Sequence, residues 1–161
     1  MRTLPTRLDG PLLLEPEVFG DHRGFFAETF RADTWAEAGV DAAFVQDNHS
    51  RSRRGTLRGI HFQTHPGQGK LVRCARGRVL DDESMRQLFV PIGFGHGFCV
   101  TSEVADVAYK CTSYYDSSTE AGIAYDDPAI GITWPTGIEW IVSERDATAA
   151  RLADVADALP F

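Results

Sequence analysis

The sequence predicts a mainly β protein that forms a single domain over residues 1–161. Glycine occurs 15 times and proline 8 times, aromatic residues reach 11%, and long helical periodicity is scarce. Short apolar runs that alternate with Gly/Pro turns are typical of a barrel or sandwich of strands. The length suffices for one domain with a substantial core and is too short for two comfortable domains.

The individual elements follow from these runs. We expect strands around residues 11–14, 25–30, 57–62, 70–74, 86–90, 97–101 and 104–112. Residues 32–38 form the one early helix candidate, which Gly39 ends, and residues 51–55 read as a basic turn. From Ser143 onward, apolar residues at Ala147, Leu152, Val155 and Leu159 predict one amphipathic C-terminal helix.

Charge and cysteine content narrow the classes of function. The formal net charge of −7 disfavours generic binding to nucleic acid or to an anionic membrane, although local arginines can still bind a phosphate. Cys74, Cys99 and Cys111 form no CxxC motif and read as reduced thiols of a cytoplasmic protein. We identify no signal peptide, and no apolar run approaches the roughly 20 residues of a membrane helix.

The most informative pair of residues is His61 and Lys70, which neighbouring strands bring together. A base beside a cation suits removal of a proton next to a carbonyl, because the cation stabilises the resulting enolate. The alternative for His61 is a half-buried strand histidine without a catalytic role. If the strand is regular, Arg58 points away from His61 and joins the same site only from a rim or a bend.

The spacing of glycines and histidines gives a second indication of the fold and of the kind of site. His96 lies in a PxGxxH pattern that is similar to the second motif of cupins, although a glycine-rich turn with an incidental histidine also explains it. Residues 63–77 correspond to the first cupin motif. Gly77 stands at the glycine that ends this motif, and Lys70 stands at the position of its glutamate ligand. Gln63 and His65 stand where two histidines would be. Because an ammonium group repels a divalent ion, the pattern predicts a cupin without a metal.

Three further residues allow two interpretations each. On its own, Asp146 is best read as part of a helix N-cap with Ser143, and the alternative is a carboxylate that orients His61. Tyr109 is either a strand aromatic or a proton donor opposite the histidine. Arg23 is either a turn cation or a ligand for a diphosphate.

Several segments together resemble dTDP-4-dehydrorhamnose 3,5-epimerases over nearly the full length. The shared order and spacing are found in FGDHRGFF (19–26), VQDNHS (45–50), LRGIHFQ (57–63), QGKLVR (68–73), GHGF (95–98), YKCT (109–112), DDPAIGI (126–132) and SERD (143–146).

The resemblance implies a cupin-type jelly-roll barrel that acts as an isomerase without a metal or other cofactor, is a homodimer, and takes a dTDP-4-keto-6-deoxyhexose as its substrate. It implies that His61 removes the protons at C3 and C5, with Asp146 as its partner in place of the capping role. Lys70 would stabilise the enolate and Tyr109 would protonate the opposite face. Tyr115 would stack on thymine. The positions that match other contacts with the nucleotide sugar are Arg23, Glu28, Gln46, Asp47, Asn48, Arg58, His96, Glu120 and Arg145.

The chain departs from the family pattern after Leu80, where a segment of two adjacent strands is absent. Such a loss leaves strand edges exposed and part of the core unfilled. We favour a segment left out of this sequence over a true deletion, and strands supplied by a partner subunit are a third explanation. The alternatives in function are an epimerase that inverts one carbon only, a metal-binding cupin, and a non-catalytic protein that binds sugar nucleotides.

Overall fold

The computed structural model describes residues 1–79 and 85–159, and within them the fold is mainly β, as the sequence predicts. The strands are β1 (Arg2–Leu4), β2 (Leu12–Glu15), β3 (Val18–Asp21), β4 (Gly24–Ala27), β5 (Gln46–Arg53), β6 (Leu57–Gln63), β7 (Lys70–Arg76), β8 (Gln87–Val90), β9 (His96–Cys99), β10 (Val104–Cys111) and β11 (Glu120–Gly122). The helices are α1 (Ala32–Glu37), α2 (Glu144–Ala147) and α3 (Leu152–Val155), and a 3-10 turn follows at Ala156–Ala158.

The strands form two larger antiparallel sheets and a separate hairpin. The six-stranded sheet has the order β1-β2-β8-β7-β10-β5, and the three-stranded sheet has the order β11-β6-β9. Side chains of the two sheets meet, since Arg58 of β6 donates to Ser52 of β5. The arrangement of two facing sheets agrees with the predicted jelly roll, and the space between them holds the candidate site.

The main core lies on the outer face of the six-stranded sheet, beneath α1. Trp35 of α1 is 1% exposed and packs with Leu14, Val40 and Leu71. Because side chains alternate along a strand, the burial of Leu71 outward leaves Lys70 and Val72 facing the other sheet. Phe30, predicted to lie in a strand, follows the end of β4 and packs on Trp35 in this core.

The C-terminal region differs from the single helix that the sequence predicts. Helices α2 and α3 are separated because Ala150 leaves helical geometry and pairs with Ile123 in a parallel bridge. The Asp127 carboxylate then accepts a hydrogen bond from the Leu152 amide at 2.6 Å and fixes the start of α3. An apolar pattern with a period near 3.6 predicted the helical residues but gave no sign of this break.

The basic segment that was expected to be a turn is largely strand. Strand β5 continues to Arg53, and only residues 54–55 form the turn. Arg51 pairs with Asp106 of β10 through hydrogen bonds of 2.6 and 2.8 Å, and the bonds from this guanidinium lower the pKa of Asp106 to about 2. The pair therefore joins two neighbouring strands on the outer face.

Among the described residues, one edge of the three-stranded sheet has no full strand paired to it. The described part of the chain pairs β9 with β6 on one side, and on its other side it provides only the Val79–Val100 bridge beyond the end of β9. The predicted break at residues 80–82 lies outside the described residues. Cys74, Cys99 and Cys111 are buried and form no disulfide. Within residues 1–79 and 85–159, no helix is long and apolar enough to cross a bilayer.

Candidate functional site

A histidine–carboxylate pair is the centre of the site. His61 lies in the middle of β6, where it is opposite His96 of β9 and Gly122 of β11. Its Nε2 is 2.6 Å from Oδ1 of Asp146, whose side chain is only 5% exposed. Since a carboxylate only accepts hydrogen bonds, Nε2 carries the proton and Nδ1 keeps a free lone pair. The pair is thus arranged as a base whose second nitrogen is available to a ligand.

Asp146 combines the two roles that the sequence left open. Its backbone amide donates to Oγ of Ser143, the N-cap of α2, at 3.1 Å. Its carboxylate meanwhile accepts from the Gly59 amide at 3.2 Å through Oδ2 and from His61 through Oδ1. The cap therefore holds the backbone while two donors from β6 fix the side chain, and neither interpretation excludes the other.

Two substitutions separate the roles of this helix start. Ser143→Ala removes the capping oxygen and is expected to lower the free energy of unfolding by about 1 kcal/mol, with little loss of activity. Asp146→Asn keeps the cap, but its amide nitrogen faces Nε2 and moves the imidazole proton to Nδ1, so turnover is expected to fall by about 10²- to 10⁴-fold. Urea unfolding and solvent exchange of substrate protons measure the two effects, and equal loss of activity in both variants contradicts this division.

A lysine and a tyrosine face the histidine from the other sheet. Lys70 is the first residue of β7 and pairs across the sheet with Cys111 of β10. Burial lowers the pKa of Lys70, against the opposing influence of Cys111 and Glu120. Tyr109 lies two residues before Cys111 on the same face of β10, and burial is the main cause that raises its pKa. At neutral pH the phenol consequently remains protonated and can donate.

Arg58 reaches the space between the sheets from an irregular part of its strand, the case in which the sequence predicted that it would join the site. The pairing of β6 with β9 changes register between Arg58 and His61. The irregularity breaks the alternation of side chains, so the guanidinium turns toward the six-stranded sheet and donates to Oγ of Ser52 at 3.1 and 3.2 Å. The positive charge of Arg58 also acts on Tyr109, where it opposes the rise in pKa that burial causes.

His96 lies next to His61 on β9 and remains neutral. Its pKa falls to about 3 because of burial first, then because of the positive charge of Lys70, and then because of the charge of His61 whenever that imidazole is protonated. A neutral imidazole offers one donor and one acceptor, which suits contact with sugar hydroxyl groups. Nowhere in residues 1–79 and 85–159 do three or more His, Cys, Asp or Glu side chains gather as potential metal ligands.

The predicted nucleotide-binding residues at the C-terminal end of β10 form a hydrogen-bonded group. The Tyr115 hydroxyl donates to Glu120 at 2.7 Å, and Arg145 donates to the same carboxylate oxygen at 2.5 Å. Burial favours the neutral form of Glu120, but the bonds from Arg145 and Tyr115 outweigh it and lower the pKa of the carboxyl. The Tyr115 ring is 52% exposed and can receive a flat base.

A chain of amides joins this group to the lysine. The Tyr115 amide donates to Oε1 of Gln46 at 2.8 Å, and Nε2 of Gln46 donates to Oδ1 of Asn48 at 3.1 Å. Nδ2 of Asn48 then donates to Sγ of Cys111 at 3.5 Å, directly opposite Lys70. Gln46 and Asn48 thus share the inner face of β5, as their spacing of two residues requires.

Three residues that were predicted to contact the substrate do not lie with the other predicted site residues. Asp47 lies between Gln46 and Asn48, so it points to the outer face, where it accepts a hydrogen bond from Lys110 at 2.7 Å. Arg23 lies in the exposed turn of the β3–β4 hairpin and pairs with Asp21. Glu28 follows that hairpin, is exposed, and has Arg31 at 3.9 Å.

Sequence reasoning missed two residues of the site. Cys111 was treated only as a reduced thiol, although its place two residues after Tyr109 on a strand indicates the same face. Ser52, the partner of Arg58, lay in a segment that was read as a turn. The sequence feature that could have identified Ser52 is the alternation that continues along one face of β5, at Gln46, Asn48, Ser50 and Ser52.

Comparison with a protein-family model supports the resemblance. The model described as dTDP-4-dehydrorhamnose 3,5-epimerase matches this chain over residues 5–82 and 79–154. The two ranges meet at residues 79–82, which is where the sequence predicts the missing segment. A relative named dTDP-4-dehydrorhamnose 3,5-epimerase from Methanothermobacter thermautotrophicus is 44% identical over 168 residues, covering 90% of this chain and 91% of the relative. Since 168 exceeds the 161 residues of this chain, the relative contains residues that the chain lacks.

The chain is also similar to a solved structure and to a relative that is named for epimerisation at one carbon only. The crystal structure of dTDP-6-deoxy-D-glucose-3,5-epimerase from Legionella pneumophila, in complex with dTDP-4-keto-L-rhamnose, matches with a TM-score of 0.94 and 41% identity. The match covers 99% of this chain and 97% of that chain. A protein from Streptomyces niveus named dTDP-4-dehydrorhamnose 3-epimerase is 38% identical over 98% of this chain and 87% of its own length.

Proposed function

This chain belongs to the dTDP-4-dehydrorhamnose 3,5-epimerase family, and from that premise we propose that it converts dTDP-4-dehydro-6-deoxy-D-glucose to dTDP-4-dehydro-L-rhamnose. The reaction inverts C3 and C5, the two carbons next to the 4-keto group. One observation carries the proposal: His61, which is hydrogen-bonded to Asp146 of α2, lies on the three-stranded sheet, and Lys70 and Tyr109 lie on the sheet that faces it. A sugar between the sheets has a base on one side and a proton donor on the other.

The base step uses the free lone pair of His61. Nδ1 takes a proton from C3 or C5, the C–H bond breaks, and its electron pair moves into the ring to leave a negative charge on O4. Asp146 stabilises the imidazolium that forms, since its carboxylate already accepts from Nε2 at 2.6 Å. Lys70 donates to O4 and stabilises the enolate, which closes much of the gap in acidity between the substrate and the histidine.

The second step delivers a proton to the opposite face. Tyr109 donates its phenolic proton to the same carbon, the enolate returns to a ketone, and the configuration of that carbon is inverted. The tyrosinate then regains a proton from solvent and His61 releases the one it took. The raised pKa of Tyr109 keeps the phenol protonated until the enolate forms, and the positive charge of Arg58 opposes that rise and stabilises the tyrosinate.

The remaining inner residues hold the nucleotide sugar. Arg58 and His96 contact the sugar, and the amides of Gln46 and Asn48 contact the neighbouring diphosphate. Tyr115 stacks on thymine while its bond to Glu120, shared with Arg145, keeps the ring in place. The hydrogen-bonded chain from Tyr115 through Gln46 to Asn48 connects the residue that binds thymine to residues that position the rest of the nucleotide sugar.

The protein acts as a homodimer in which the β3–β4 hairpin packs on the partner subunit. Phe19, Phe25 and Phe26 of this hairpin are 55%, 63% and 68% exposed. A cluster of exposed aromatics of this kind is typical of an interface. The dimer buries these rings, and it brings Arg23 and Glu28 to the diphosphate and sugar in the partner's site.

The enzyme works in the cytoplasm and needs no metal. Three buried cysteines that form no disulfide suit a reducing compartment. Lys70 supplies at O4 the positive charge for which other cupins use a metal ion.

Proton NMR of the reaction in D2O tests the assignment. With dTDP-4-dehydro-6-deoxy-D-glucose, we expect deuterium at both C3 and C5 of the product, because one base serves both carbons. Deuterium at C3 alone assigns the chain instead to single-carbon epimerases, a function that similarity to the Streptomyces niveus 3-epimerase favours as the second candidate. No exchange at either carbon, with dTDP still bound, contradicts an enzymatic role and identifies a sugar-nucleotide-binding protein.

A further inference from the structure

Gln63 is a buried side chain of the three-stranded sheet that the proposed mechanism does not use. It is 3% exposed, and it follows His61 by two residues in the part of β6 that pairs regularly with β11. Because side chains alternate along a strand, Gln63 and His61 share the inner face. Glu120 is directly opposite Gln63 in that pairing and lies on the same face. Gln63 is therefore next to both the proposed base and the carboxylate that holds Tyr115.

The amide of Gln63 holds the turn that joins Tyr115 to β11. Its Nε2 donates to the backbone carbonyl of Asp116 at 3.0 Å and to Oγ1 of Thr119 at 2.9 Å. Since a carbonyl oxygen only accepts hydrogen bonds, the side-chain nitrogen must be the atom that faces Asp116, and both of its N–H groups are used. Oε1 is buried and has no hydrogen-bond partner within residues 1–79 and 85–159. Gln63 therefore acts through its two donors.

The turn has its own hydrogen bonds, which fix its shape. It is exposed up to Ser118, and Thr119 is half-buried. The amide and hydroxyl of Ser118 donate to the Asp116 carboxylate, and the amide and hydroxyl of Thr119 donate to the Asp116 carbonyl at 3.3 Å. Bonds within a turn do not place it relative to a sheet. Gln63 attaches it to β6 from the inner face, and Thr64 attaches it from the outer face.

We propose that Gln63 is a positioning residue for the nucleobase: it fixes the turn after Tyr115 and so keeps the Tyr115 ring where thymine stacks. The inference rests on the proposed function, in which Tyr115 receives the base. The ring is also attached through its amide to Gln46 and through its hydroxyl to Glu120. Gln46 belongs to the six-stranded sheet, and Gln63 belongs to the same sheet as His61. Gln63 thus ties the place of the base to the strand that carries the proposed catalytic histidine.

The test compares the parent protein with Gln63→Met, by calorimetry with dTDP and by deuterium exchange at saturating substrate. Methionine is similar in length and has no donor, and the fold should be retained because water reaches the released partners on the turn. We expect the Kd for dTDP to rise about tenfold, since a displaced ring stacks less well on the base. The value of kcat should stay within about twofold of the parent. Inorganic diphosphate, which has no base, should inhibit both proteins equally.

A double-mutant cycle with Tyr115→Ala separates positioning of the ring from a general structural role. Once the ring is absent, adding Gln63→Met should weaken dTDP binding by less than about twofold, because no ring is left to position. An equal loss of affinity in both backgrounds overturns the inference, and so does an unchanged Kd in the single variant. Thr119→Val removes one of the two acceptors and should raise the Kd about threefold. It replaces Gln63→Met if that protein does not fold, and an unchanged Kd then overturns the inference.

Thr64→Val is the matched control, because it removes a hydrogen bond to the same turn from the other face of β6. The Thr64 hydroxyl donates to the carbonyl of Thr119 at 3.1 Å, but that carbonyl also accepts from the Thr64 amide at 2.9 Å, which the variant keeps. The Kd for dTDP should therefore change by less than about twofold. A loss as large as that of Gln63→Met overturns the assignment to Gln63 while the proposed function stands. A parent protein that neither binds dTDP nor exchanges a substrate proton overturns the proposed function together with the inference.

Discussion

Substituting asparagine for His61 is expected to slow epimerisation by about 10³-fold or more, because the only base of the proposed mechanism is lost. Asparagine is close in size and can still donate an amide hydrogen to Asp146, so the buried carboxylate keeps a partner. The fold should therefore be retained. The loss should be equal at C3 and C5, since the same nitrogen serves both carbons.

The measurement is deuterium incorporation at each carbon, followed by NMR, with dTDP affinity determined separately by calorimetry. Binding should change little, because the nucleotide is held by other residues. His49→Asn is the matched control: His49 is an exposed histidine on β5, 3.6 Å from Asp106 on the outer face. A His61→Asn variant that still exchanges either proton at the parent rate rules out His61 as the base for that carbon.

Arg58 shows which part of the site strand patterns predict and which part they do not. In β5, alternation puts Gln46 and Asn48 on the inner face and Asp47 on the outer face, although the resemblance had named all three as contacts of the nucleotide sugar. Alternation does not govern Arg58, because the register changes between it and His61. Such an irregularity depends on how β6 meets β9, and the sequence of β6 alone does not contain it.

Asp146 shows why the sequence favoured one role when the structure has two. A serine three residues before an acidic residue is a frequent helix start, and local patterns register only that. The contact with His61 joins residues 85 positions apart, so it follows from the packing of α2 against β6. The family resemblance supplied this partner, and physical reasoning from the local segment did not.

The break between α2 and α3 has the same origin. Apolar spacing correctly marked helical residues on both sides of it, while the pairing of Ala150 with Ile123 is a long-range contact. In the proposed homodimer, the exposed hairpin with Arg23 extends this argument to a second chain. A sequence motif can name a ligand for the diphosphate without indicating which subunit's site it enters.

Lys70 shows how the site obtains positive charge without a metal, and at what cost in stability. Burial lowers the pKa of its ammonium group, so the folded protein carries a charge that would be better solvated in the unfolded chain. The nearby Glu120 and Cys111 offset this cost in part. In the proposed mechanism, a buried cation next to the substrate ketone is retained because the enolate needs it, and the stability of the fold does not.

Lys70→Met is therefore expected to lower the exchange rate by about 10²- to 10³-fold and, at the same time, to raise the melting temperature. Methionine keeps the length of the side chain, removes the charge and suits the apolar neighbours Val72 and Val90. In the parent protein the rate should also fall in alkaline solution below the usual lysine pKa of 10.5, because the folded pKa is lowered and the neutral amine stabilises an enolate less. The variant should lack that decline.

The chain's other lysine provides the control. Lys110 lies on the same sheet as Lys70, but it faces outward, 2.7 Å from Asp47 and 5.4 Å from the centre of the Phe30 ring. Lys110→Met removes a surface ion pair, so stability should change by less than about 1 kcal/mol and activity should be retained. A Lys70→Met protein that is less stable than the parent, or as active as Lys110→Met, contradicts the assignment of Lys70 as the buried cation that stabilises the enolate.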